Sequence, residues 1–274
     1  WPDGLHPFNS NSAMRTFVFQ YTQKTLIKLD LESLEYIPNL VENMAEISED
    51  RLKYTYKIKE GIKWDDGTPL TAKDEEYSVK IMLCPLTNNT HFRSNYSTVI
   101  KSIEIYPENP LTFTMHAQKL HVENKYIFSE LYIQQKSFWD PNSVLDNISF
   151  EELLSKDFNK NIVTEELTEF FHEFNKDDNS YQPEKLVGLG AYQVTEWETS
   201  QYITIEIKEN WWGKSDLSIY NTSYPDKIIF KIIKDKISVE LALKNQTIDV
   251  STAIDTKTLI ELQKREYFNQ NYTS

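Results

Sequence analysis

Residues 61–74 read Gly61-Ile62-Lys63-Trp64-Asp65-Asp66-Gly67-Thr68-Pro69-Leu70-Thr71-Ala72-Lys73-Asp74. Each part of this stretch has a local job. Asp66-Gly67 is a tight-turn pair: glycine takes a positive φ without penalty, and aspartate bonds its own backbone two residues on. Pro69 fixes an extended exit. Thr71 reads as a helix N-cap, and Asp74, three residues later, falls in the first turn beside free N–H groups and the positive dipole end. Upstream, Leu52, Tyr54, Tyr56 and Ile58 alternate with polar residues, the pattern of a half-buried strand. Downstream, a helix is expected over 72–83, stopped by Cys84-Pro85 because proline cannot continue it. The stretch is therefore a strand–turn–helix joint. It places no nucleophile, no acid–base pair and no metal cage.

Working outward, helix and strand patterns interleave. A helix is expected over 12–23, with Met14, Phe17, Val18 and Tyr21 as its apolar stripe. A strand follows over 25–30. Residues 86–97 are polar and read as a loop. Two strands, 101–106 and 111–117, flank Pro107-Glu108-Asn109-Pro110 and form a hairpin. A helix is expected over 123–132. Residues 150–176 read as helix in two pieces, with Leu167, Phe170, Phe171 and Phe174 as a core-packing stripe. From Tyr192 the period changes to paired strands, 192–194 and 202–207. A strand over 227–233, rich in Ile and Phe, reads as central. A helix over 238–244, a strand over 248–251 and a helix over 256–265 complete the pass. The fold class is mixed α/β.

The bulk composition narrows the function classes. The chain has 274 residues and a formal charge of −13, with no basic stripe of the kind a nucleic-acid binder shows. Sixteen Tyr, fourteen Phe and six Trp spread along the chain argue against disorder. The single cysteine, Cys84, excludes an intrachain disulfide and reads as a small buried apolar group. No apolar run reaches the roughly 18 residues of a membrane span. The five histidines do not repeat at metal-ligand intervals, and six glycines are too few for a glycine-lined cofactor crevice. No Gly-x-Ser-x-Gly elbow and no phosphate loop occurs. Asp65-Asp66 could be taken for an acid–base dyad, but the turn-and-cap account also explains the glycine that follows. No catalytic residue, metal or cofactor is expected.

The run Tyr56-Lys57-Ile58-Lys59-Glu60-Gly61-Ile62-Lys63-Trp64, followed by Asp-Gly-Thr-Pro-Leu-Thr-Ala-Lys-Asp, resembles the signature of the family 5 solute-binding proteins, the peptide-binding receptors of bacterial ABC importers. Three further blocks agree, in the family's order. They are Leu5-His6-Pro7-Phe8; Gly188-Leu189-Gly190-Ala191-Tyr192 with Asn210-Trp211-Trp212-Gly213; and Tyr224-Pro225-Asp226-Lys227-Ile228 with Ala242-Leu243-Lys244-Asn245. His6 stands where the family usually has Asp. Leu189 and Ala191 replace commoner Thr and Pro, and Glu75-Glu76 replaces an apolar pair.

The resemblance implies a periplasmic-binding-protein type II-like fold in which two lobes trap the ligand. The chain would supply the first lobe: a discontinuous sheet domain, residues 1–37 and 186–274, and a smaller appended α/β domain, residues 38–185. Members of the family are usually much longer, so the second lobe is expected to be missing from this sequence. The implied function is the substrate-binding component of an ABC importer, capturing peptides without covalent chemistry and delivering them to permease subunits. It would act as a monomer, outside the cytoplasm, periplasmic or lipid-anchored. The same family also carries nickel chelates, haem and oligosaccharides. A hydrolase is the remaining alternative. The expected cleft residues are Asn11, Ser12, Ala13 and Met14, before the first helix, and Phe92, Arg93 and Tyr96 in the appended domain. Asn11 and Ser12 would bond peptide backbone, Phe92 or Tyr96 would cover the ligand, and Arg93 would meet a carboxylate.

Overall fold

The alternation at Tyr54, Tyr56 and Ile58 does build a half-buried strand, and the rest of the architecture assembles around it. The computed structural model describes residues 4–9, 15–215, 223–252 and 254–264, excepting the side chains of 160 and 161. In chain order the elements are α1 (Arg15–Thr22), β1 (Ile27–Leu29), β2 (Tyr36–Pro38), β3 (Glu46–Ile47), β4 (Lys53–Lys57), α2 (Ala72–Leu83), α3 (Thr90–Tyr96), β5 (Ile100–Tyr106) and β6 (Asn109–Ala117). There follow α4 (Asn124–Ile127), α5 (Lys136–Trp139), α6 (Phe150–Leu154), α7 (Phe158–Asn161), α8 (Glu165–Phe174), β7 (Tyr192–Glu198), β8 (Tyr202–Ile207), β9 (Lys227–Lys231), α9 (Lys236–Lys244) and α10 (Thr256–Gln263). They divide into two units, Trp1–Glu198 with Ile203–Ile229, and Thr199–Tyr202 with Phe230–Ser274.

The first unit holds an antiparallel sheet in the order β3-β4-β6-β5. Tyr56 lies opposite Phe113 in this register, and their rings stack with centroids 5.4 Å apart. Helix α2 packs on the sheet and is buried nearly all round, including Val79, Ile81, Met82 and Leu83. Its start follows the sequence expectation. Asp66 Oδ1 accepts from the Thr68 N–H at 2.9 Å and the Thr68 hydroxyl at 2.6 Å, and Gly67 has φ +84°. The Thr71 N–H and hydroxyl then donate to Asp74 Oδ2, at 2.9 and 3.2 Å. Cys84 ends the helix fully buried, and burial pushes its thiol up to about 12. The expected stripe of α8 is also present: Leu167, Phe171 and Phe174 are buried, and Thr164 caps the helix by accepting from the Leu167 N–H.

A second sheet has the order β7-β8-β9. It shows why the Gly188-Leu189-Gly190 block needs its glycines. A Cβ added at Gly190 would lie 2.1 Å from the Tyr21 carbonyl oxygen, and one at Gly188 would lie 2.2 Å from that of Thr22. The end of α1 therefore rests directly on this backbone, and the Gly190 N–H donates to Thr22 O at 2.9 Å. Both indoles of Trp211 and Trp212 donate to Leu189 O, each at 3.0 Å. Lys208 Nζ donates to Gly188 O at 2.6 Å and pairs with Asp65 Oδ1 at 2.8 Å. That one buried lysine ties the two diagnostic blocks of sequence together. It also gives Asp65 a structural partner in place of Asp66.

In the second unit, α9 and α10 are capped by Asp235 and Asp255, which accept from the N–H groups of Ser238 and Thr258. The Thr258 hydroxyl donates to Glu240 at 2.5 Å, and Leu243 and Leu262 are buried.

Several local expectations need correction. Residues 90–96 are helix α3, not loop. The hairpin turn is only Pro107-Glu108, because strand β6 begins at Asn109. Pro110, lacking an N–H, is tolerated because no ladder partner faces it in the register. The helix expected over 123–132 shortens to α4, and residues 150–176 hold three helices instead of two. Strand β9 ends the order of its sheet and alternates exposed with half-buried residues, so it is an edge, not a centre. Residues 248–251 form no strand. The buried face of α1 is Arg15, Val18, Phe19 and Thr22, whereas Phe17 is exposed. A hydropathy stripe misphases this helix because its inward face starts with a charged residue. The Met14 end of the expected stripe lies outside the described residues.

Candidate functional site

The N-terminal segment is the first wall of the site. His6 is fully buried and holds the segment's turn. Its Nδ1 accepts from the N–H groups of Phe8 and Asn9, at 3.2 and 3.1 Å. The proton therefore sits on Nε2, which donates to Phe174 O at 3.0 Å. An aspartate could supply the same two-fold acceptor to the turn. Burial drives the His6 pKa down to about 4, and the Arg15 charge adds to the effect. The Asn89 side chain clamps the same segment by donating to Phe8 O, while its Oδ1 caps α3 by accepting from the Phe92 N–H at 3.1 Å.

Around this turn lies a pocket of about 120 Å³. Phe8 from the segment, Arg15 of α1, Met82 of α2, Phe92 and Tyr96 of α3, and Tyr132 after α4 form its walls. The Arg15 guanidinium sits between two rings, 5.2 Å from the Phe19 centroid and 5.4 Å from that of Phe92. Its Nη1 donates to the carbonyls of His6 and Pro7, at 3.2 and 3.1 Å. Phe19 in turn meets Tyr132 edge-on at 5.2 Å. Desolvation raises the hydroxyl pKa of both Tyr96 and Tyr132, keeping them neutral. Glu130 at the rim accepts from the Tyr36 hydroxyl at 2.5 Å, which lifts that hydroxyl to about 12. The surface is apolar and aromatic, with fixed polar groups behind it.

The structure brings together two of the residues expected from sequence, Phe92 and Tyr96, one turn apart on α3 with ring centroids at 6.1 Å. Arg93 points to another cavity and spends two donors on helix ends, with Nε to Leu83 O at 3.0 Å and Nη2 to Leu153 O at 3.3 Å. Asn11, Ser12, Ala13 and Met14 lie outside the described residues. Arg15, Met82, Glu130 and Tyr132 were not anticipated. They come from three separated segments, and no local pattern marks any of them as pocket residues. Among the described residues, no group of three or more His, Cys, Asp or Glu is placed to hold a metal, and no helix is long and apolar enough to cross a membrane.

Comparison with known proteins fits this geometry. The family model described as bacterial extracellular solute-binding proteins, family 5 Middle, matches residues 35–274. The oligopeptide-binding protein OppA of Bacillus subtilis (strain 168) is 26% identical over 220 residues, a stretch covering 80% of this chain and 36% of OppA. Among solved structures, the periplasmic binding protein DppA from Helicobacter pylori in complex with the peptide STSA superposes with a TM-score of 0.70 at 18% identity, covering 96% of this chain and 47% of that one. NikZ from Campylobacter jejuni in complex with Ni(L-His) superposes with a TM-score of 0.66 at 21% identity, covering 96% and 43%. The chain thus spans less than half the length of these relatives while sharing their fold. On the family match over most of its residues, the chain belongs to the bacterial extracellular solute-binding proteins, family 5.

Proposed function

We propose that the protein to which this chain belongs captures peptides outside the cytoplasm and hands them to the permease of an ABC importer. The chain supplies part of the first lobe, with residues 1–37 and 186–274 as its sheet domain and 38–185 as the appended domain. Binding is non-covalent and the unit works as a monomer. The observation that carries the reading is the aromatic pocket at Phe8, Met82, Phe92, Tyr96 and Tyr132. At about 120 Å³ it is smaller than the roughly 300–1,000 Å³ of a site enclosing a whole ligand. It is close to the roughly 150 Å³ cavity that accommodates a benzene ring. It therefore suits one apolar side chain of a longer ligand. The methionine and the rings give adaptable, non-directional contact, which suits a receptor that accepts many side chains. Residues Asn11, Ser12, Ala13 and Met14 connect Asn9 to Arg15 in the chain and are assigned to the ligand's backbone and flank.

The test is mass spectrometry of the full-length protein purified under native conditions. Co-purified peptides enriched in large apolar residues at one position support the proposal. Repeated absence of peptide, with no thermal stabilisation by peptide mixtures, contradicts it. The likeness to NikZ favours one second reading, a nickel chelate as cargo in the same fold. Nickel retained by that preparation in place of peptide would select it.

A further inference from the structure

Helix α3 has two working faces. Phe92 and Tyr96 form one i, i+4 row, facing the apolar pocket; Arg93 and Ser97 form the next row and face a different cavity. That second cavity is a cleft of about 440 Å³, within the roughly 300–1,000 Å³ of small-ligand sites. Its polar lining is Arg93, Ser97, Gln118, Ser155, Lys156 and Asn159. We infer that this cleft binds a small oxyanion, a phosphate or carboxylate group on a ligand separate from the peptide.

The charge pattern is the first reason. The chain carries −13, yet the two charged side chains lining the cleft are both cations. Neither forms an ion pair among the described residues. The nearest carboxylates in sequence lie outside the lining: Glu152, whose Oε2 accepts both the N–H and the hydroxyl of Ser149 at 2.7 Å, and Asp157. The second reason is orientation. Arg93 is held by its Nε and Nη2 bonds to Leu83 O and Leu153 O, so the guanidinium plane is fixed while its Nη1 donors remain available. A cation preorganised in this way loses little freedom when it meets an anion. The third reason is the donor set around it. Ser155 Oγ already accepts from the Asp157 N–H at 3.1 Å, which leaves its O–H to donate outward. Ser97, Gln118 and Asn159 add a hydroxyl and two carboxamides. The lining offers donors from several directions and no carboxylate acceptor, the requirement for an oxyanion and the wrong environment for a metal ion.

The test is calorimetric titration of the full-length protein at low ionic strength with inorganic phosphate and, separately, citrate. Saturable one-to-one binding of either probe is expected, and the preferred probe identifies the group as phosphate or carboxylate. Lys156→Ala, at an exposed position outside the helix-end contacts, should weaken it about tenfold. Arg93→Lys, checked for native circular dichroism because Arg93 also bonds two helix ends, should weaken it comparably. Absence of saturation with both probes overturns the inference. So does binding that stays within about twofold of wild type in Lys156→Ala and Ser155→Ala.

Discussion

Glu75 gives the sharpest physical test of the fold. It follows Asp74 in the first turn of α2. The side chain is fully buried, and neither carboxylate oxygen has a hydrogen-bond partner among the described residues. Burial, with the Asp74 charge second, raises its pKa from 4.5 to about 8. Between these two values the unfolded chain ionises Glu75 while the folded chain keeps the proton. The residue's contribution to stability is therefore complete below pH 4.5 and is lost as pH rises through about 8. At 1.36 kcal/mol per tenfold change in proton affinity, the full displacement is about 5 kcal/mol, of which about 3 kcal/mol is already lost at neutral pH. Glu75→Gln keeps the shape and removes the titration. Urea unfolding followed by circular dichroism across this pH range should show the variant gaining on wild type by about 3 kcal/mol between acidic and neutral pH, with unchanged m. Glu75→Met should gain as well, since no partner is lost. Parallel pH profiles for wild type and Glu75→Gln would refute the reasoning.

The opposite limb belongs to His6, whose buried neutral ring has its pKa lowered from 6.5 to about 4. Its contribution is present above 6.5 and drains as pH falls toward 4, by about 3 kcal/mol, and His6→Asn should lack that acid-side loss in the same unfolding experiment. Gly190→Ala would place a Cβ 2.1 Å from a carbonyl oxygen that cannot move without shifting α1, so thermal unfolding should show a loss of about 3 kcal/mol or more. Phe92→Ala removes one wall of the aromatic pocket and should weaken binding of an apolar-rich peptide to the full-length protein about tenfold, read by calorimetry, with little change in unfolding midpoint because this ring is only half-buried.

The joint at residues 61–74 could be read from sequence because its chemistry is local. Turn, cap and stop signals lie within a few residues of each other, and α2 begins and ends at the residues they mark. Helix α3 could not be read from hydrophobic period, because none of its residues is buried. The usable signal was Asn89, a strong N-cap residue, which the polar run concealed. Helix α1 was found but misphased, since its charged first residue, Arg15, turns inward: the carbonyls of His6 and Pro7 just upstream, Phe19 one turn on and Phe92 of the distant α3 surround it. The same limit applies to the pocket. Phe92 and Tyr96 were reachable through the resemblance, whereas Met82, Glu130 and Tyr132 meet them only through the packing of α2, α3 and the segment after α4. The glycines of the 188–190 block were visible as a motif, but their reason, close approach of the α1 terminus, is tertiary.

The most direct measurement is a crystal structure of the full-length protein with a bound peptide. An apolar side chain of the peptide seated among Phe92, Tyr96 and Met82 is the predicted result. A peptide bound elsewhere, with this pocket closed or filled only by water, would contradict the account.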